Sequence, residues 1–381
     1  MNKPASDADE TAEQDFNERL VAATPHARTT QLLVAANAAV FAVMSVLGVS
    51  MLGGHAEEYL RFGANFAPLT TSGEWWRLAT CLFIHAGILH LALNMWALWD
   101  SGRLVERLFG SGWFAALYLF AGVCGSCASM LWNQHVISAG ASGAVFGVFG
   151  ALLAYMTVER GSIPPDTLNR LRLSSSTFVV YSLFYGFLQS GIDNAAHLGG
   201  LAGGFVMGLA LARPLNEVSR HAGNARRAVL ASLLAIVALP TAALLTPDTS
   251  RVYRQAIALQ KEVDTFSAEE KRLQSAFQDI AERSRAHTID AATALRELRT
   301  SLLPAWDAAV VHLASLELDA KAPARTDYEL LLRYAGLRRD GMSALADYLE
   351  TNDPSNLSRL TALRTEAAEA LKQFQARQKQ P

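Results

Sequence analysis

Residues 83–100 read FIHAGILHLALNMWALWD. The run is apolar enough to sit in a bilayer, yet it carries His85, His90 and Asn94. Polar side chains inside a membrane helix are costly and mark a working site. His90 and Asn94 are four apart and share one helix face, whereas His85, five before His90, is rotated off it. Two further stretches belong with this one. Residues 140–150, GASGAVFGVFG, hold Ser142 with Gly140 and Gly143 beside it, and residues 196–204, AHLGGLAGG, hold His197.

All three stretches lie in a block of low charge. Residues 29–247 carry 20 charged side chains, about 9%, while residues 248–381 carry 39, about 29%. A soluble chain carries roughly 25%. The contrast excludes a single soluble globule, a disordered chain and a fibrous repeat. A net charge of −2 gives no reason to expect nucleic acid as a partner. Apolar runs near 31–53, 78–99, 113–132, 142–158, 177–190 and 197–212, with a seventh near 228–246, approach the length a membrane span needs. The first is no cleavable signal peptide, because it is long and an acidic tail (Asp7, Asp9, Glu10, Glu13, Asp15, Glu18) precedes it. The expected fold is all-α: a polytopic membrane helical bundle followed by a soluble helical domain. Its expected divisions are a disordered cytoplasmic tail (1–28), a six-span core (29–215), a loop with a seventh span (216–247) and a soluble α-helical domain (248–381).

Arginine placement sets the expected orientation. The segments after the second, fourth and sixth spans hold nine arginines (Arg103, Arg107, Arg160, Arg170, Arg172, Arg213, Arg220, Arg226, Arg227). The other connecting segments hold two, Arg61 and Arg77. Positive charge stays inside, so the N-terminus is expected in the cytoplasm and, after seven spans, the C-terminal domain outside. Ser142 and His197 each open an even span and lie toward the external leaflet. Gly143 with Gly147, and Gly200 with Gly204, form small faces that let two helix backbones approach. A serine and a histidine at similar depth on such helices can hydrogen-bond. The hydroxyl is a weak nucleophile until a base takes its proton, and His197 is a candidate base. His90, Asn94 and the Ser142 backbone N–H at a helix start are candidate donors to an oxyanion. No acid stands ready to orient His197; Asp193, four residues earlier, is expected in the loop.

Each piece has a plainer reading. A G-x-S-G in a glycine-rich membrane helix is usually packing, and three histidines can instead bind a metal, although no H-E-x-x-H occurs. Cys124 and Cys127, a C-x-x-C in an apolar run, read as small packing residues, and no disulfide framework is implied by three cysteines. The conjunction carries the signal, and it resembles the rhomboid intramembrane serine proteases. The matching motifs are H-x-x-x-x-H-x-x-x-N (His85, His90, Asn94), G-x-S-G (Gly140, Ser142, Gly143) and A-H-x-x-G-x-x-x-G (Ala196, His197, Gly200, Gly204). Trp76-Arg77 and Glu106-x-x-x-Gly110 resemble two further family motifs. The resemblance covers about 55–215. It implies a serine endopeptidase with Ser142 as nucleophile, His197 as general base and acid, and His90 with Asn94 as oxyanion donors. His85, Arg77 and Glu106 are implied to be structural, and Phe146 to pack under the histidine. No metal or other cofactor is implied. The implied partners are the lipid bilayer and transmembrane protein substrates, cut in or near a span that unwinds readily, with a small residue before the cut. The implied location is a bacterial inner membrane. Water must reach the pair, so a polar cavity open to the external side is expected.

Rival classes are weakened by absences. No lysine lies between Lys3 and Lys261, which excludes a Ser–Lys pair in the membrane block, and neither Asp100 nor Asp193 follows a G-x-G as in aspartyl intramembrane proteases. The serious alternative is a non-catalytic rhomboid-like protein that binds membrane clients; such relatives typically lose the serine or the histidine. In the C-terminal block Val252, Leu259, Phe266, Leu273 and Ile280 recur every seven residues, with Ala256, Val263 and Phe277 between them and Glu270 as the exception. This pattern predicts one long helix in a hairpin or coiled coil, while Ser267-x-x-Glu270 can equally cap and break it. Pro304, Pro323 and Pro354 mark further boundaries, and a helical bundle for spacing or for a protein partner is expected.

Overall fold

A computed structural model describes residues 7–189, 191–215, 224–320 and 322–378. Of the expected disordered tail, residues 1–6 lie outside these, as do residues 216–223 of the loop before the seventh span. The described residues are helical, and their only ladder contact is an isolated antiparallel bridge between Asn65 and Ser138. The chain divides into two units, one up to Ser250 and one from Arg251 onward.

The first unit opens with α1 (Asp7–Ala23) and α2 (Arg28–Val46). Short helices α3 (Ala56–Phe62), α4 (Ala67–Thr71) and α5 (Arg77–Thr80) follow. The main bundle is α6 (Ile88–Phe109), α7 (Ser111–Trp132), α8 (Ser142–Val158), α9 (Pro165–Leu188) and α10 (Asn194–Leu211), with α11 (Asn224–Leu245) after it. By length and composition α2, α7, α10 and α11 can each cross a membrane, and the pair Arg77–Phe83 and Ile88–Phe109 qualifies as one span bent by 95°. The chain is an integral membrane protein. Its outer helices present apolar side chains outward, such as Trp96 on α6, Trp132 on α7, Phe184 and Phe187 on α9, and Ile236 and Val237 on α11.

α8 is the centre. Every residue from Gly143 to Leu152 is buried, and Ala154, Tyr155 and Met156 continue the pattern. A helix that is apolar all round belongs inside a bundle. Its closest neighbour is α10. A Cβ on Gly200 would lie 1.9 Å from the Gly143 carbonyl oxygen, and one on Gly204 would lie 2.0 Å from that of Gly147. Backbone therefore touches backbone along this seam. Cys124 of α7 lies against Gly203 of α10, in keeping with a packing role.

Three features differ from the sequence reading. Residues 7–23 of the tail form a helix, and its Phe16 and Leu20 are buried in the same core as Val105, Leu108 and Phe109. These two large side chains sit four apart on a helix otherwise made of charged and polar residues, alanines and the exposed Val21, too sparse a stripe to stand out. The second run, expected as one helix over 78–99, is broken between Phe83 and Ile88, where Gly87 takes φ +102°. His85 therefore lies in the break rather than off-face on the helix. α9, which holds the fifth apolar run, is longer than that run, because the polar turns of residues 165–176 extend it at one end.

Glu106 shows why its motif is structural. It is fully buried on α6, and its carboxylate accepts the N–H groups of Thr29 and Thr30 at 2.9 and 2.8 Å. It also accepts the hydroxyls of Thr30 and Ser111 at 2.7 and 2.6 Å. One side chain thus satisfies orphan donors at the start of α2, a cap supplied from another helix. Glu106→Ala strands these donors in the core. It is expected to destabilise the first unit by ~3 kcal/mol, and Glu106→Gln by less, as a lowered thermal midpoint in detergent will show. Arg77, also buried, donates to the Leu60 and Ala64 carbonyls at 2.7 and 3.0 Å, pairs with Glu74 and stacks on Trp76. It ties the segment between α3 and α5 together.

The second unit comprises α12 (Ser250–Arg285), α13 (Ala291–Glu297), α14 (Leu303–Ala314), α15 (Arg325–Thr351) and α16 (Pro354–Gln378). α12 is unbroken, so Ser267 does not cap a new helix. Leu259, Phe266, Leu273 and Ile280 are buried with the fully enclosed Trp306. The heptad exception is also explained: Glu270 accepts the Tyr334 hydroxyl and pairs with Arg338 at 3.4 Å. Burial first, and then the adjoining carboxylate, pushes the Tyr334 phenol above its ordinary pKa. Pro304 lies at the start of α14, which continues from α13 through a π turn at Leu298–Leu302.

Candidate active site

Ser142 is the first residue of α8 and partly exposed, while His197 is buried in the first turn of α10. The glycine seam brings these helix starts together, and His197 Nε2 lies 2.9 Å from Ser142 Oγ. The two residues are 55 apart in sequence. Phe146, one turn into α8, stacks on the imidazole with a centroid distance of 4.2 Å and an interplanar angle of 7°. Stacking fixes the ring plane, so Nε2 is aimed and not merely near.

His90 and His85 flank the loop that delivers Ser142. Gly140 has φ +130°, and a Cβ there would lie 2.7 Å from Cε1 of His90. Glycine is needed at this position on both counts. The Ala86 N–H points at His90 Nδ1 at 3.4 Å, so the ring proton belongs on Nε2, the atom beside Gly140. On the other side the Ala141 N–H donates to His85 Nε2 at 3.4 Å. The His85 and His90 rings meet edge to face at 5.1 Å. His85 thus braces the backbone next to Ser142 from the break before α6. Asn94 is buried one turn beyond His90, and its amide donates to the His90 carbonyl at 2.9 Å.

The sequence reading missed one group. Asp193 is not a free loop residue but the N-cap of α10, its Oδ1 accepting the Ala196 N–H at 3.0 Å. Asp three residues before a helical backbone N–H is a capping pattern visible in the sequence, obscured here by the short polar break between two apolar runs. Asn194 beside it donates to the Leu183 carbonyl at 3.2 Å and joins α10 to α9.

Residues 72–214 match the family model of the Rhomboid domain. Rhomboid protease AarA of Providencia stuartii is 30% identical over 202 residues, covering 48% of this chain and 71% of that protein. The chain belongs to the rhomboid family. Rhomboid protease GluP of Bacillus subtilis is 41% identical over 185 residues, 49% of this chain and 35% of that relative. RHOMBOID-like protein 5 of Arabidopsis thaliana is 36% identical over 163 residues, 42% of this chain and 52% of that protein. This rhomboid thus spans about a third to a half of the length of these last two relatives. The domain match contains every candidate site residue from His85 to Gly204, while α1, α2 and the second unit lie outside it.

Proposed function

We propose that this rhomboid is an intramembrane serine endopeptidase that cuts transmembrane protein substrates with a Ser142–His197 dyad. The contact of 2.9 Å between the two side chains carries the reading. Two relatives are named as rhomboid proteases. In the proposed reaction His197 Nε2 takes the hydroxyl proton as Ser142 Oγ attacks the scissile carbonyl. The resulting oxyanion is held by the Ser142 N–H, His90 Nε2–H and the Asn94 amide. Collapse breaks the C–N bond, and His197 returns the proton to the leaving amine. Water, activated by the same histidine, then releases the acyl group. The 17 residues of α8 rise about 26 Å, less than the ~30 Å hydrocarbon core. With its far end at one interface, the helix starts below the opposite surface, where a polar opening must admit water.

A fluorophosphonate probe applied to the detergent-solubilised protein tests the nucleophile. Labelling of the wild type and none of Ser142→Ala is expected; persistent labelling of the variant would remove Ser142 from the mechanism. Asn94→Ala should retain partial activity, with kcat reduced ~10²–10³-fold, the cost of one oxyanion donor.

The proposed setting is a bacterial inner membrane with the N-terminus in the cytoplasm, α11 crossing, and the second unit outside, where it can bind a protein partner. Arg170, Arg172 and Arg213 support the orientation. Arg213 donates to the Phe109 carbonyl, Arg172 to that of Met156, and Arg170 pairs with Glu13, which gathers the even connections at one end of the bundle. Gln260 is exposed on α12. Gln260→Cys is expected to react with a membrane-impermeant maleimide in intact spheroplasts, with the wild type as blank. Reaction only after lysis would place the second unit inside.

A further inference from the structure

We infer that Asp193 is a positioning residue that holds His197 in the Nδ1–H tautomer through one water. This inference deepens the dyad reading and rests on it. For His197 Nε2 to accept the serine proton, the neutral ring must carry its hydrogen on Nδ1. That nitrogen is shielded from solvent and has no hydrogen-bond partner among the described residues. One turn earlier on the same helix, Asp193 Oδ2 is likewise shielded and without a partner. A donor without an acceptor and an acceptor without a donor thus sit at adjacent levels of one helix start.

The surroundings leave Asp193 as the natural counterpart. Phe146 covers the face of the imidazole and Ser142 takes Nε2. The Asp193 backbone carbonyl accepts the His197 N–H at 3.1 Å, which fixes the two residues one turn apart. The Ala196 N–H pins Oδ1 at 3.0 Å, so the carboxylate is anchored through one oxygen while the other is available. Its charge also stabilises the imidazolium that forms when Ser142 gives up its proton. The stack on Phe146 sets the plane of the ring; Asp193 sets which nitrogen carries the proton.

Asp193→Asn separates this role from capping. Asparagine caps helices as well as aspartate does, so Oδ1 can keep the Ala196 N–H. The amide then turns a donor toward Nδ1 and favours the wrong tautomer. Asp193→Ser keeps a capping hydroxyl and removes the carboxylate without adding a donor. Two measurements apply to the full chain in detergent. The first is the ¹⁵N spectrum of histidine-labelled protein, with the His197 signals assigned by difference from His197→Ala. The second is kcat and KM on a transmembrane substrate, with the rate of fluorophosphonate labelling. We expect Nδ1–H in the wild type and Nε2–H in Asp193→Asn, with kcat and labelling rate at least 10-fold lower and KM within two-fold. Asp193→Ser should lose kcat while keeping its thermal midpoint. An unmoved tautomer with a labelling rate within two-fold of wild type in both variants would overturn the inference and leave positioning to Phe146 alone. A tautomer that responds while Ser142 takes no label even in the wild type would uphold the pairing and sink the hydrolase reading instead.

Discussion

His197→Ala will lower cleavage of a model transmembrane substrate by at least 10²–10⁴-fold, the contribution of a positioned general base, and leave the bundle folded. The imidazole sits at the start of α10 rather than deep in the apolar core, and its packing partner is the Phe146 ring. Removing it forfeits a stacked pair worth about 1 kcal/mol and opens no large void under α8. The glycine seam with α8 is untouched, because Gly143, Gly147, Gly200 and Gly204 make it. Turnover and thermal midpoint measured on the same preparation separate the two effects. Near-wild-type turnover in this variant would mean that the base has been misassigned.

Gly200→Ala will cost activity out of proportion to its size. The added Cβ would lie 1.9 Å from the Gly143 carbonyl oxygen and 2.7 Å from its carbon. Neither is the end of a flexible side chain, so α8 and α10 must separate. Overpacking of this kind costs ~1–3 kcal/mol of stability. The consequence for chemistry is larger, because Gly143 follows Ser142 and Gly200 lies three residues after His197. A displacement of about 1 Å at a reacting pair is worth ~10²-fold in rate. Loss of both fluorophosphonate labelling and cleavage, with a lowered midpoint, is expected. Gly161→Ala is the control: beyond its chain neighbours no described atom lies within 4 Å of its Cβ position, and it should behave as wild type. Unimpaired labelling in Gly200→Ala would show that the seam does not set the Ser142–His197 distance.

Much of this was legible in the residues themselves. Low charge over 29–247 and its recovery after 248 separate a membrane block from a helical one, because the bilayer core excludes charge whatever the fold. The candidate residues stood out for the same reason: a histidine, an asparagine or a glycine-flanked serine in an apolar run is costly unless it is used. The Ser142–His197 juxtaposition was foreshadowed by the four-residue spacing of the glycines on both helices. The heptad in α12 was legible from period alone, and its odd member, Glu270, made sense only once Tyr334 and Arg338 were found beside it.

Other features needed the tertiary structure, because they depend on partners remote in sequence. Only α6 in place shows Glu106 capping α2, 76 residues away along the chain. The burial of α1 through Phe16 and Leu20 requires the α6 surface that receives them, and two large apolar side chains among charged residues and alanines announce nothing by themselves. The break at residues 84–87 was hidden because Gly87 sits inside an otherwise apolar run; it moves His85 from a helix face to the Ala141 backbone. Asp193 is the sharpest case. Its sequence position suggested a loop, and only the cap geometry anchors its carboxylate one turn from His197. The sequence by itself determined the membrane class, the helical character and the set of polar residues, since transfer energies and periodicity are local properties. The tertiary structure decided which of those residues meet, because contact across helices depends on backbone approach and on which polar groups remain for one another once each helix is packed.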